Sequence, residues 1–456
     1  MKNDYLTVKP PFTALLIFAL PIMLGKLFQQ LYTMVDSAIV GRYVSQNALA
    51  AVGASGSLSH VFICVAIGGG VGASVIVSRY FGGKDFAKMK TAIFTSLFLF
   101  LGTSVVLAIV GLLTSRWIMA ALNTPAEAFD LAVVYLKIYF LGLPFLFLYN
   151  VISSMFNAMG KSRIPLYFLI LSSLLNVGLD LFFVTRLNMG MAGAAWATLI
   201  AQSVSAVLSF IALLYELAKL EGAAPSKFDK NELRPMLKIA LPSVLQQSTV
   251  SIGMMLVQSV VNSFGAEALA GFSAAGRIEG LCCVPMIGIG TAVSSYTAQN
   301  IGSKKLDRVV KGYHAANWLI VGFGVVICLV LQLANEPIIA FFVGENGTDL
   351  ALSTGQGYLK FVGVFYSFLG FKMAVDSVLR GAGDMKVFTV ANLVNLFIRV
   401  AVAVIFAPRL GIFMVWAAVP MGWFVNWLIS YLYYRIGHWK KGAVKKSGVK
   451  RPAGGR

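Results

Sequence analysis

Charge is what this chain has least of: Asp, Glu, Lys and Arg together make up 12% of 456 residues, and only 18 are acidic. So sparse a supply cannot cover the surface of a water-soluble protein of this length, which excludes the soluble globular class. The three histidines (His60, His314, His438) are dispersed, and the four cysteines (Cys64, Cys282, Cys283, Cys328) stand in apolar stretches without CxxC or Cys/His spacing. A disulfide framework, a metal site and a nucleophile–base pair are therefore not expected, which disfavours an enzyme. Gly82-Gly83-Lys84 lacks the strand, the spacing and the Ser/Thr of a phosphate loop, so no nucleotide cofactor is expected either. A cleavable signal peptide is also missing: residues 1–10 are short and polar and lead straight into a long apolar stretch, so the first span is expected to be retained.

What is present is hydrophobic length. Apolar residues make up 58% of the chain, mean hydropathy is +0.80, and stretches of spanning length fall at 14–40, 48–77, 92–114, 132–158, 164–185, 191–215, 239–263, 269–298, 314–334, 354–379, 388–407 and 412–434. The expected class is an all-α polytopic membrane protein with twelve transmembrane helices, seated in the cell membrane. A net charge of +19 raises the question of nucleic acid, but the basic residues track alternate loops and leave only Arg42, Arg116, Arg186 and Arg409 on the other side. The positive-inside rule then puts both termini in the cytoplasm, and the basic tail 437–456 reads as an orientation signal near anionic lipid, with no nucleic-acid partner.

The second half repeats the first. Ala19-Leu20-Pro21 returns as Ala240-Leu241-Pro242, Ile67-Gly68-x-Gly70 as Ile287-Gly288-x-Gly290, Gly82-x-Lys84 as Gly302-x-Lys304, and Tyr135-Leu136-Lys137 as Tyr358-Leu359-Lys360. An offset near 220 residues predicts a duplicated six-helix unit: a lobe at 1–216, a cytoplasmic linker at 217–238 and a second lobe at 239–436. The paired glycines predict close helix contact or a bend.

Inside the spans, a few polar side chains stand out. Ser172, Asn176 and Asp180 form one stripe at helical spacing, Gln29, Thr33 and Asp36 another, and Thr198, Gln202, Ser205 and Ser209 a third, with Tyr135 and Tyr139 one turn apart. A carboxylate at mid-membrane depth costs roughly 2.5–3.5 kcal/mol, so such residues face a bundle interior or a wet cavity and mark an ion or substrate route; a helix-to-helix hydrogen bond is the alternative. The second half offers an uncharged stripe of Gln247, Ser251, Gln258 and Asn262 flanked by Met254 and Met255. Its acids, Glu279 and Asp376, lie among Arg277, Lys372 and Arg399, so structural ion pairs of Glu279 and Asp376 with Lys372 and Arg399 are expected.

Taken together, Gln29-Gln-Leu-Tyr-Thr-Met-Val-Asp36 followed by Val40-Gly-Arg, then Asn176-Val-Gly-Leu-Asp180, Arg277-Ile-Glu279 and Arg380-Gly-Ala-Gly-Asp384-Met-Lys386 resemble the multidrug and toxic compound extrusion (MATE) family over nearly the whole chain. The resemblance implies an antiporter that expels small organic, often cationic, compounds in exchange for entering Na+ or H+ by alternating access of two six-helix lobes. It implies a coupling-cation site at Asp36, Asn176, Asp180, Thr198 and Tyr135; Gln29, Thr33, Tyr139, Gln202, Gln247, Met254 and Met255 from the stripes, with Ser153, are the candidate cavity residues. Two departures matter: Ser153 stands where some members carry Asn, and Val250 and Leu369 stand where some branches carry second-lobe acids. The first leaves Na+ or H+ open, and the second assigns coupling to the first lobe. A flippase for a lipid-linked or amphipathic headgroup is the alternative, which a cavity lined by Arg and Lys would favour. A monomer in the bilayer is expected, with no cofactor beyond the coupling ion.

Overall fold

The computed structural model describes residues 4–440 apart from 45, 123, 222–225 and 345–347. The tail expected as an orientation signal lies mostly outside the described residues. A single turn, α1 (Tyr5–Val8), is followed by α2 (Pro11–Tyr43), α3 (Gln46–Gly82), α4 (Phe86–Ala121), α5 (Ala126–Ala158), α6 (Arg163–Leu181), a π-helical turn (Phe182–Arg186) and α7 (Gly190–Ala218). The second half holds α8 (Lys230–Asn262), α9 (Ala266–Gly302), α10 (Leu306–Leu333), a short α11 (Asn335–Val343), α12 (Asp349–Gly363), α13 (Tyr366–Gly381), α14 (Met385–Leu410) and α15 (Phe413–Ile436). Helices are what a bilayer permits, because hydrocarbon offers no partner for an unpaired backbone group.

Eleven of the described helices are long and apolar enough to span, or twelve if Asp349–Gly363 and Tyr366–Gly381, bent by 52° at their break, count as one. That pair replaces the single straight span expected at 354–379. The break is local: Phe365 N–H turns back to Val362 O at 2.8 Å and Phe368 N–H to Phe365 O at 2.9 Å, tighter bonds than the α-helical pattern. The linker is also shorter than 217–238, because α8 begins at Lys230. Its first turns are polar, so a hydropathy reading assigns them to a loop although they are helical, with Asn231 N–H donating to Asp229 Oδ1 at 2.8 Å at the start.

Two compact units emerge, Leu24–Val244 and Met1–Met23 with Leu245–Arg456, so the division falls inside α2 and α8 rather than in the linker. Both handovers lie just after repeat-related prolines, Pro21 and Pro242, whose missing N–H removes a helical bond and permits a bend. In the first unit α3 packs on α4 and α5, and α7 on α5 and α6; in the second α9 packs on α10, α12 and α13, and α15 on α13 and α14. The glycine repeat supplies the room. A methyl on Gly72 would lie 2.5 Å from Ala240 Cα, one on Gly68 2.6 Å from Val244 N, and, in the other unit, one on Gly288 2.4 Å from Met23 Cγ. The same crossing is thus built twice, and close helix contact is what these glycines provide. We expect Gly72→Leu to abolish the folded yield while Gly102→Leu, where no atom lies within 4 Å, is tolerated; size-exclusion chromatography of the two variants side by side checks it.

Each unit also fastens the segment that enters its crossing helix. In the first, Lys90 Nζ donates to Leu220 O at 2.7 Å, Asp229 N–H to Thr95 Oγ1 at 3.0 Å and Tyr80 Oη to Glu232 Oε1 at 2.7 Å. In the second, Asn300 Nδ2 donates to Leu6 O at 3.1 Å, Lys305 Nζ to Thr7 O at 3.0 Å and Arg308 to Lys9 O at 2.6 Å. The loops between are repeat-related down to the backbone: Lys84 and Lys304 adopt φ of 60° and 61°, and Gly160 and Gly383 φ of 76° and 71°.

Candidate functional site

The first unit gathers its polar side chains around two carboxylates. Asp36 comes from the second half of α2, and Asp180 from the last turn of α6, just before the helix widens into its π turn. Their carboxyl groups face each other within interaction distance. Asp180 and Asn176 are buried, at 0% and 2% exposure. Asn176 Nδ2 donates to Thr198 Oγ1 at 3.2 Å, and Thr198 Oγ1 itself donates back to Ala194 O at 3.1 Å. Four oxygens are left over: Asp36 Oδ1, Asn176 Oδ1 and both oxygens of Asp180 are buried with no hydrogen-bond partner among the described residues. Facing carboxylates have no donor between them, and in a low-dielectric setting such a pair favours holding a proton or another cation.

Tyr135 stands within electrostatic reach of both carboxylates, and so does Tyr32. Tyr32 was not singled out from the sequence, although its place four residues before Asp36 puts it on the same helix face. Beside this group α5 and α7 enclose a narrow cleft lined by Tyr135, Tyr139, Gly142, Thr198, Leu199 and Gln202, sized for water or a small ion and too small for a drug. Thr198 and Tyr135 belong to both, so the cleft abuts the carboxylate pair. Tyr139 Oη is engaged with Ser59 O at 3.0 Å. The structure therefore brings Asp36, Asn176, Asp180, Thr198 and Tyr135 together, with Tyr139 and Gln202 alongside.

Gln29, Thr33 and Ser153 are not among the residues that line the cleft. Gln29 Oε1 accepts from Lys26 Nζ at 3.0 Å, and Thr33 Oγ1 donates to Gln29 O at 2.8 Å. Gln247 sits on α8 of the handover region, where its carbonyl accepts from Ser251 Oγ at 3.3 Å, and Met254 and Met255 are exposed along the same helix.

In the second unit the expected ion pair of Asp376 is present. Lys372 Nζ lies 3.2 Å from Asp376 Oδ2, both side chains are buried, and the pair is closed by Asn392, which accepts from Lys372 at 2.8 Å and donates to Asp376 at 3.1 Å, and by Ser430 Oγ, which donates to Asp376 Oδ1 at 2.7 Å. The expected ion pair of Glu279 is not what forms. Glu279 Oε2 instead accepts from Tyr358 Oη at 2.5 Å, and no ion pair of Glu279 occurs among the described residues; Arg399 lies in electrostatic reach of Tyr358.

A helical chain of eleven to twelve spans, with acids buried inside its helices, is by class a multi-pass membrane protein. The particular family is then plain: the chain belongs to the MatE family, whose model matches residues 21–182 and 242–405, one window in each half. Its members are transporters, so the chain is one as well and not an enzyme. It is 30% identical over 428 residues to the probable multidrug resistance protein YpnP of Bacillus subtilis (strain 168), covering 93% of this chain and 95% of that relative. To the probable multidrug resistance protein NorM of Thermotoga maritima it is 26% identical, covering 94% and 93%. Among solved structures, a MOP superfamily transporter from Pyrococcus furiosus Vc1 (DSM3638), for which a reverse polarity of the binding pocket suggests a different function, matches with a TM-score of 0.89 at 26% identity over 96% of this chain and 99% of that one. A MATE transporter in complex with MaL6 matches with a TM-score of 0.89 at 26% identity over 97% and 100%.

Proposed function

We propose that the chain is a cation-coupled antiporter that exports small organic, often cationic, compounds, with H+ or Na+ binding at Asp36 and Asp180 and with Asn176, Thr198 and Tyr135 completing that site. The observation that carries this reading is the set of four buried acceptor oxygens without a donor on Asp36, Asn176 and Asp180: it suits a cation and nothing apolar. Both a proton and a hard cation seeking oxygen ligands fit these atoms. The names of the relatives, multidrug resistance and multidrug export proteins, support the substrate class. The basic loops support cytoplasmic placement of both termini. Whole-cell dye efflux with the Na+ and H+ gradients collapsed separately tests the proposal: collapse of one should stop export, and export indifferent to both would refute it.

A charge prediction follows from the facing carboxylates, which are close enough to share one exchangeable charge. Exporting a monovalent cation against an inside-negative potential costs about 2.3 kcal/mol per 100 mV, and one entering coupling cation returns the same. Export of a cationic compound is then electroneutral and export of a neutral one electrogenic. Transport currents in proteoliposomes with one substrate of each kind check it, and equal currents would exclude a one-charge exchange.

A further inference from the structure

The second unit holds a polar cluster that the first-unit carboxylates do not use. At its centre Glu279 of α9 accepts the hydroxyl of Tyr358 of α12 at 2.5 Å. Tyr358 is fully buried, edge-on to Phe272 at 5.2 Å and to Trp416 at 6.4 Å, and the sequence repeat relates it to Tyr135 beside the carboxylate pair. Arg399 of α14 is within electrostatic reach of Tyr358 and of Cys283. Its buried Nε has no hydrogen-bond partner among the described residues, nor has Trp416 Nε1, and Tyr366 Oη has none beyond the neighbouring Cys282 thiol.

These leftovers share a sign. Arg399 Nε and Trp416 Nε1 can only donate, and Tyr366 Oη can donate as well; Glu279 Oε2 accepts from Tyr358, and none of these three donors bonds to Glu279. Where the first unit has acceptors awaiting a cation, the repeat-related place in the second has donors awaiting an acceptor. Buried donors left unpaired are costly, so a site that keeps several of them has its acceptor supplied from outside. We propose that this cluster is a subsite for a hydrogen-bond acceptor on the transported compound, a carbonyl or carboxylate substituent, with Arg399 as the principal donor and Trp416 as the second. Specificity follows directly, because a site built to hydrogen-bond one substituent discriminates against the analogue that lacks it. The inference deepens the exporter reading and rests on it, and the experiment below measures binding rather than coupled transport, so that the two can fail separately.

The test uses the purified full chain in detergent and the fluorescence anisotropy of three dyes with one xanthylium body: tetramethylrosamine, which has no acceptor substituent, tetramethylrhodamine methyl ester and tetramethylrhodamine, which carries a carboxylate. The wild type should bind both substituted dyes more tightly than the rosamine. Arg399→Met should raise their Kd about tenfold, with the rosamine within about twofold. Trp416→Phe, which keeps a ring and deletes one donor, should give the same selective pattern at about threefold, and it serves if Arg399→Met folds poorly. A larger loss for the carboxylate than for the ester assigns the acceptor as a carboxylate, and equal losses assign it as a carbonyl. Equal losses for all three dyes, no loss in either variant, or a wild type that binds the rosamine as tightly as the others would overturn the proposal. A wild type that binds none of the three counts against the exporter reading as well.

Discussion

Asp180→Asn and, separately, Asp36→Asn should each stop cation-coupled export while the protein still inserts and folds. The amide keeps the shape of the side chain but offers a buried cation no charge and puts two N–H donors where the carboxylate has only acceptors. Asp180 is fully buried and neither of its oxygens has a hydrogen-bond partner among the described residues, so no donor is left unpaired by the change and stability should hold or rise. Transport should fall on the order of a hundredfold, because losing a charged interaction of about 3 kcal/mol is worth that factor. Efflux per molecule, normalised to the folded protein recovered, is the measurement; a well-folded variant with wild-type rates would remove the carboxylate pair from the mechanism. Asn176→Asp is the informative companion: a third acid beside two should tighten cation binding and slow its release.

The second large effect concerns stability. Lys372 and Asp376 form a buried ion pair that Asn392 and Ser430 hydrogen-bond. Removing one partner leaves a charge in hydrocarbon-like surroundings, at a cost of about 3–5 kcal/mol, whereas replacing both by apolar groups is often neutral. Lys372→Met alone should lower the thermal midpoint on the order of 10 °C, and Lys372→Met with Asp376→Leu should recover much of it. Turnover per folded molecule should stay near wild type in both. A stable Lys372→Met protein that has lost turnover would instead make this pair part of the transport cycle.

How far the sequence reached depends on what kind of contact each residue makes. Asp36 and Asp180 were legible because burying an acid in a span is expensive enough that one side chain carries the inference. The Lys372–Asp376 pair was legible for a similar reason, with spacing of one helical turn. Tyr32 was not, since an aromatic residue in a span reads as packing until its hydroxyl is seen beside a carboxylate. Glu279 misled because the cations in neighbouring spans predict an ion pair, whereas the choice of Tyr358 depends on how α9 and α12 pack across nearly eighty residues of chain. The division of α2 at Met23 and of α8 at Val244 falls inside continuous helices, where hydropathy marks no boundary between units; only the repeated proline and the crossing glycines hinted at it.

The central claim is that a cation bound at Asp36 and Asp180 drives export. The most direct measurement loads proteoliposomes containing the full chain with a fluorescent organic cation and imposes a pH gradient or a Na+ gradient alone, for the wild type and for Asp180→Asn. The account predicts that one imposed gradient accelerates wild-type transport and that neither accelerates the variant. Acceleration of Asp180→Asn to the wild-type rate by either gradient would contradict it.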